Sequence, residues 1–156
     1  MTSPGSDLSA HIQRGLNDLR DLVALQSVSA QGRMLSETAD AVQLLLEAEG
    51  FRVTMHPGQV APVLVAEAGE GPFTLLIYNH YDVQPEDPAD LWESPPFELT
   101  ERGDRLYGRG ASDDKGEFVS RLAGLRALRE RHGGALPLKV KSVSYTHLTL
   151  PTSDLV

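Results

Sequence analysis

Two places in this sequence gather side chains that bind cations or move protons. The first is His80-Tyr81-Asp82, at the end of the apolar run Thr74-Leu75-Leu76-Ile77-Tyr78. In an extended chain, side chains two apart point to the same side, so His80 and Asp82 can meet in one pocket. An imidazole beside a carboxylate is a recurrent metal arrangement. One ring nitrogen takes the ion; the other donates to the carboxylate, which fixes the tautomer and raises the basicity of the ligand. On these three residues alone, a histidine packed at a strand end beside a solvated aspartate is the commoner arrangement.

The second place is Tyr107-Gly108-Arg109-Gly110-Ala111-Ser112-Asp113-Asp114-Lys115-Gly116. Its glycines allow a tight turn. Two carboxylates follow just before a helical pattern, where capping alone could explain them. Two phosphate-binding readings fail. A dinucleotide loop needs a third glycine where Asp113 stands, and a Walker loop needs Gly before and Ser or Thr after Lys115, where Asp114 and Gly116 stand. Two carboxylates in a glycine loop favour a cation over an anion.

These groups need elements to position them. Leu8, Ile12, Leu16, Leu19, Leu22 and Val23 recur at helical spacing and predict a first helix after a loose tail, Met1 to Ser6, with Ser27 to Gly32 breaking it. Ser36 is the expected N-cap of a second helix, with Ala39, Val42, Leu45 and Leu46 on its buried side and Gly50 as the stop. Phe51, Val53 and Met55 alternate as a strand does. Val63 to Ala66 and Thr74 to Tyr78 are short apolar runs, as buried central strands are. Phe97 to Thr100 and Arg105 to Tyr107 flank Gly103-Asp104 as a hairpin. A third helix is expected from near Asp114 to about Arg131, ended by Gly133-Gly134, and a further strand over Leu136 to Val143. Helices alternating with apolar strands indicate an α/β domain with helices on a central sheet.

Composition narrows the function. The chain has 156 residues and a formal net charge of -8, which argues against nucleic acid, since phosphate binding needs Lys and Arg in excess. It does not argue against metal, because cations want carboxylates. With no cysteine there is no thiolate zinc site or Cys nucleophile, and the chain suits the reducing cytoplasm. The N-terminus lacks the features of a signal peptide, and no run is long enough to span a membrane.

The ordered set His80-Tyr81-Asp82-Val83-Gln84-Pro85, then Trp92 and Pro96-Phe97, then Tyr107 to Gly116 resembles the M20 family of metallopeptidases. Val83-Gln84-Pro85, the Asp113-Asp114-Lys115-Gly116 ending and the 33-residue spacing from His80 to Asp113 look most like its dipeptidase branch. The resemblance spans roughly residues 8–141. It implies an α/β catalytic domain of the zinc-peptidase type, with a central mixed sheet flanked by helices. It implies two divalent metal ions, zinc foremost with manganese or cobalt as alternatives. His80 would ligate one ion and Asp113 bridge both. Asp82 would serve catalysis by orienting His80, and Asp114 would sit beside the bridge, joined to Asp113 by a cis peptide. Trp92, Pro96 and Phe97 would shape the loop. The substrate implied is a dipeptide or small N-acyl amino acid, and the longer protein would dimerise through a small lid domain.

The sequence departs from that pattern at its end. The family places a glutamate cluster, holding the general base and a ligand, after the strand that follows the third helix. Here no glutamate follows Glu130. The later Asp and His ligands and the lid are absent too. Residues 1–141 are therefore expected to be a truncated catalytic domain, and 142–156 a foreign tail of artefactual origin, in which His147 is a poor replacement ligand. His11, His56 and His132 read as surface or turn residues. Two other readings stand beside the enzyme: a non-catalytic module that binds metal or a partner, and a purely structural α/β domain.

Overall fold

The computed structural model describes residues 5–147, with side chains from residue 8. Helix α1 (Gly5–Ala24) leads through a 3₁₀ turn (Ser29–Gln31) to α2 (Leu35–Ala48). Strands β1 (Arg52–His56), β2 (Val63–Ala68) and β3 (Thr74–His80) follow, then the hairpin of β4 (Thr100–Arg102) and β5 (Arg105–Tyr107). Helix α3 (Lys115–Arg131) and strand β6 (Lys139–Tyr145) complete the described chain. Among the described residues no helix is long and apolar enough to cross a membrane.

The main sheet is mixed, in the order β1-β2-β6-β3. The β1–β2 and β2–β6 pairs are antiparallel, and β6 runs parallel to β3, with His80 opposite Tyr145. Alternation along the strands explains how it packs. Leu64, Ala66 and Ala68 of β2 and Val140, Ser142 and Ser144 of β6 are buried, while their neighbours are only half-covered. The buried set joins Leu19, Leu22, Val23, Ala39, Val42, Leu46, Phe118 and Leu122 from the three helices in one core. Helices thus cover one face of the sheet. Arg126 of α3 is buried at their junction, bound to Asp18 of α1 at 2.7 Å and Glu49 after α2 at 2.8 Å.

Several expectations need correction. Leu8 and Ile12 of α1 are half-exposed, because only the second half of that helix meets the core. Helix α2 begins earlier than its polar signal: Met34, at φ 46°, stands at the N-cap, and Ser36 lies inside the first turn. The 3₁₀ turn delivers the chain to Met34 already reversed, so its carbonyl accepts the Thr38 N–H at 3.1 Å. The hairpin starts at Thr100, not Phe97. Strand β3 is an edge strand rather than a buried central one. Its Leu75, Leu76 and Tyr78 are exposed because it has β6 on one side and no strand on the other among the described residues. The expected tail, Met1 to Ser6, falls partly outside the described residues, and Gly5 and Ser6 are helical.

The expected boundary at residue 141 falls within β6, which continues through Ser142, Val143 and Ser144 with partners on both sides. Residues 148–156 of the expected tail lie outside the described residues.

Candidate metal centre

Strand β3 ends at His80, and the segment 81–83 runs on from it across the end of α1. The Val83 N–H donates to the Ser27 carbonyl at 2.8 Å, and the Ser27 hydroxyl donates to the Tyr81 carbonyl at 2.6 Å. The loop 108–114 approaches from the other direction and ends in a cis peptide between Asp113 and Asp114, as the resemblance implied. The Asp114 carboxylate accepts the His80 backbone N–H at 3.0 Å, so β3 and the loop are tied together. Arg121 of α3 reinforces the tie: it donates to Asn79 Oδ1 at 2.7 Å and stands 3.5 Å from Asp114 Oδ1.

His80 is the centre of the arrangement. Its Nδ1 lies 3.0 Å from the Asp82 carbonyl oxygen and 3.3 Å from the Asp82 carboxylate. Its Nε2 lies 2.8 Å from Asp113 Oδ1. Asp82 stands two residues beyond the strand end, not within the strand, yet it meets the imidazole as expected. Its nearest contact to the ring is the backbone carbonyl. The Asp82 side chain is fully buried and also accepts the His147 backbone N–H at 2.8 Å. Asp113 differs: its side chain is 72% exposed and reaches outward from the loop.

The electrostatics follow from these contacts. Burial pulls the His80 imidazole down, but the Asp82 and Asp113 carboxylates and the Asp82 carbonyl outweigh it and carry the pKa to about 9. Burial raises the Asp114 carboxyl, against the His80 N–H and the charges of Arg121 and His80. Burial also pushes the Lys115 ammonium down to about 7, opposed by Asp82.

The donor set fits a borderline divalent cation at one edge. An acceptor at Nδ1 commits that nitrogen to carrying a proton, so Nε2 is the nitrogen that would ligate once a cation displaces its proton, and a carboxylate oxygen lies beside it. Imidazole nitrogen and carboxylate oxygen suit zinc, manganese or cobalt. A complete site needs more, and among the described residues no group of three or more His, Cys, Asp or Glu side chains converges as ligands. The ring of His147 lies 5.9 Å from that of His80, and no such group includes it.

The other singled-out residues take supporting places. Trp92 donates its indole N–H to the Glu86 carbonyl at 2.8 Å and lies under the Arg109 guanidinium. Phe97 lies under Arg33, and the Pro96 carbonyl accepts the Arg109 N–H at 2.6 Å. All three brace the loops, as expected. His56 and His132 are exposed, and His11 pairs with Glu130 at 2.6 Å.

Two residues here carry more than the sequence reading assigned them. Lys115 entered it as evidence against a Walker loop and as part of the motif that carries the resemblance, with no role of its own, and Ser27 only as a helix breaker. Lys115 is buried, and its place directly after two aspartates was the available signal. Ser27 left none, since its partner lies 54 residues away.

Comparison with known proteins agrees with this fold. Residues 76–141 match the model of peptidase family M20/M25/M40. The chain is 36% identical over 151 residues to a cysteinylglycine-S-conjugate dipeptidase of Corynebacterium striatum, covering 89% of this chain and 32% of that protein. It is 34% identical to the human Beta-Ala-His dipeptidase, covering 87% and 30%. Among solved structures it superposes on human carnosine dipeptidase 1 with a TM-score of 0.78 at 32% identity, over 88% of this chain and 32% of that one. An M20 family metallo-carboxypeptidase from Sulfolobus solfataricus gives 0.78 at 37% identity, over 84% and 30%. The chain thus spans about a third of the length of the curated relatives it matches.

Proposed function

We propose that this chain, whose residues 76–141 match the model of peptidase family M20/M25/M40, is a member of that family and supplies part of the metal centre of a dipeptidase-type hydrolase. The observation that carries the proposal is the 2.8 Å approach of His80 Nε2 to Asp113 Oδ1, with Nδ1 held by Asp82. His80 and Asp113 would hold the metal, zinc foremost with manganese or cobalt as alternatives. When bound, a pair of divalent ions supplies a water of lowered pKa and a polarised scissile carbonyl.

The residues of this chain have definite parts in that scheme. Asp82 holds a proton on His80 Nδ1, so that Nε2 is the nitrogen a cation would take in place of a proton. Asp114 fixes the backbone of His80, and Asp113, exposed where the loop meets α3, would hold metal beside it. The substrate class proposed is a dipeptide, to which the names of the dipeptidase relatives point, or a small N-acyl amino acid. A cytoplasmic setting and dimerisation of the longer protein belong to the same proposal.

Hydrolysis also needs a base to take the proton of the attacking water. No glutamate follows Glu130, and the buried Asp82 is occupied with His80 and the His147 N–H. We therefore assign metal binding without turnover to these 156 residues. The experiment is a dipeptidase assay with added zinc or manganese, run beside a calorimetric zinc titration. Binding without turnover is expected. Robust hydrolysis that Asp113→Ala abolishes would refute the assignment of an incomplete site, and no zinc binding would refute the metal centre itself.

A further inference from the structure

Asp113 poses a problem of positioning. Its carboxylate is largely exposed and meets His80 Nε2 at 2.8 Å, so the backbone of the loop decides where it stands. What holds that backbone is the residue two places on. Lys115 is buried, and its ammonium donates to the carbonyls of Leu22 at 2.8 Å and Leu25 at 2.6 Å, about ninety residues earlier in the chain.

Those carbonyls belong to the end of α1. The last carbonyls of a helix lack partners within it, and a cation there is favoured by the helix dipole. Helix α1 has no basic residue in its last turn, so Lys115 supplies the cation from another element. Close packing leaves the loop little freedom around this contact. A Cβ at Gly110, where φ is +87°, would stand 2.8 Å from Val83 Cγ1 and 3.1 Å from Lys115 Cδ. A Cβ at Gly116 would stand 1.9 Å from the Ala111 carbonyl oxygen.

The same stretch of chain holds the other half of the site. Ser27 accepts the Val83 N–H and donates to the Tyr81 carbonyl, and Val28 bridges to Val83. Residues 22–28 therefore brace both partners. One arm reaches the segment that follows His80; the other reaches Lys115 and, through it, Asp113. We propose that Lys115 is a positioning residue of the metal centre: by fastening the Asp113 loop to the end of α1, it sets the distance between Asp113 and His80 without touching the ion. The proposal rests on the metal-centre reading above.

The test uses the whole chain and zinc chloride as the probe. Lys115→Met keeps the bulk and removes the donors, and Lys115→Gln keeps one donor group on a shorter arm. Leu64→Ala, in the core of β2, serves as a control for lost stability alone. Calorimetric titration of the folded variants is expected to show zinc affinity about tenfold or more weaker for Lys115→Met, the range for residues that orient ligands. Lys115→Gln should fall between, and Leu64→Ala should be unchanged. A folded Lys115→Met with unaltered zinc affinity overturns the proposal, as does an equal loss in the control. A second measurement needs no variant. Zinc should slow amide exchange at residues 22–28 together with 80–83 and 113–116, because they share one brace. Slowing at the latter two segments with none at 22–28 overturns the proposal even if every Lys115 variant fails to fold. A chain that binds no zinc removes the metal-centre reading itself, which is a different result from zinc binding indifferent to Lys115.

Discussion

His80 Nε2 and Asp113 Oδ1 stand 2.8 Å apart although 33 residues separate them. The intervening chain leaves the sheet, forms the β4–β5 hairpin and returns to the same end of β3. Convergence of a buried imidazole and an exposed carboxylate at a strand end is what a cation site at that edge requires.

Asp113→Ala should leave the fold nearly intact, since an exposed side chain contributes within about 0.5 kcal/mol. It should, however, abolish stabilisation by zinc. A ligand at a hundred times its dissociation constant stabilises by about 2.7 kcal/mol. Thermal melts with and without zinc read the difference. A zinc-dependent rise in Tm retained by Asp113→Ala would remove that residue from the site.

Stability without metal should depend on pH through His80. Its folded pKa, about 9, lies above its ordinary value of 6.5. A raised imidazole pKa stabilises the folded state fully below the unfolded value and ceases to do so as pH rises through the folded one. Urea unfolding at about pH 6 and about pH 9.5 should therefore show a loss of stability at the higher pH that His80→Gln lacks. Equal pH dependence in both proteins would contradict the ion pairing described.

Asp82→Asn should weaken zinc binding by about 10–100-fold, because an amide no longer favours the His80 proton on Nδ1 as a carboxylate does. Calorimetric titration measures it. The imidazole resonances of His80 should report a lower pKa in the variant, and an unchanged titration would show that the Asp82 carbonyl alone sets the tautomer.

Arg126→Ala should cost about 3 kcal/mol, the low end of the range for breaking a buried pair, since it removes the partner of Asp18 while Glu49 keeps Arg14 at 2.7 Å. Arg126→Met, which keeps the volume, should cost less. Chemical denaturation of both variants decides whether the junction owes its stability to charge or to bulk.

The edge strand β3 should drive association. Residues 73–79 carry no charge, and Leu76 is 65% exposed. An uncharged open edge is a template for strand pairing. Light scattering should find the unaltered chain associated and Leu76→Lys shifted toward monomer. A monodisperse unaltered chain would count against this.

The elements were legible because periodicity reports which side of a helix or strand is covered. Val42 and Leu46 of α2, Leu64 and Ala66 of β2, and Phe118 and Leu122 of α3 are buried as their spacing requires. The same signal misled at Leu8, Ile12 and β3. An apolar run says what a segment can bury and not whether a neighbour is there to cover it. Ser36 misled for a related reason: a capping residue type marks where a helix can start, and the preceding turn at Met34 decided where it did.

At the site the division is similar. Residue type and local order picked out His80, Asp82 and Asp113, because metal chemistry demands an imidazole, an orienting acceptor and a carboxylate, and their order along the chain resembled a known family. Distance was another matter. That Asp114 holds the backbone of His80, that Arg121 ties α3 to β3, and that Lys115 and Ser27 fasten both halves to the end of α1 are contacts between segments 34 to 93 residues apart, or between helix and strand. No local pattern encodes such contacts. They exist only once the helices have packed on the sheet and brought the backbone carbonyls at the end of α1 within reach of a buried ammonium.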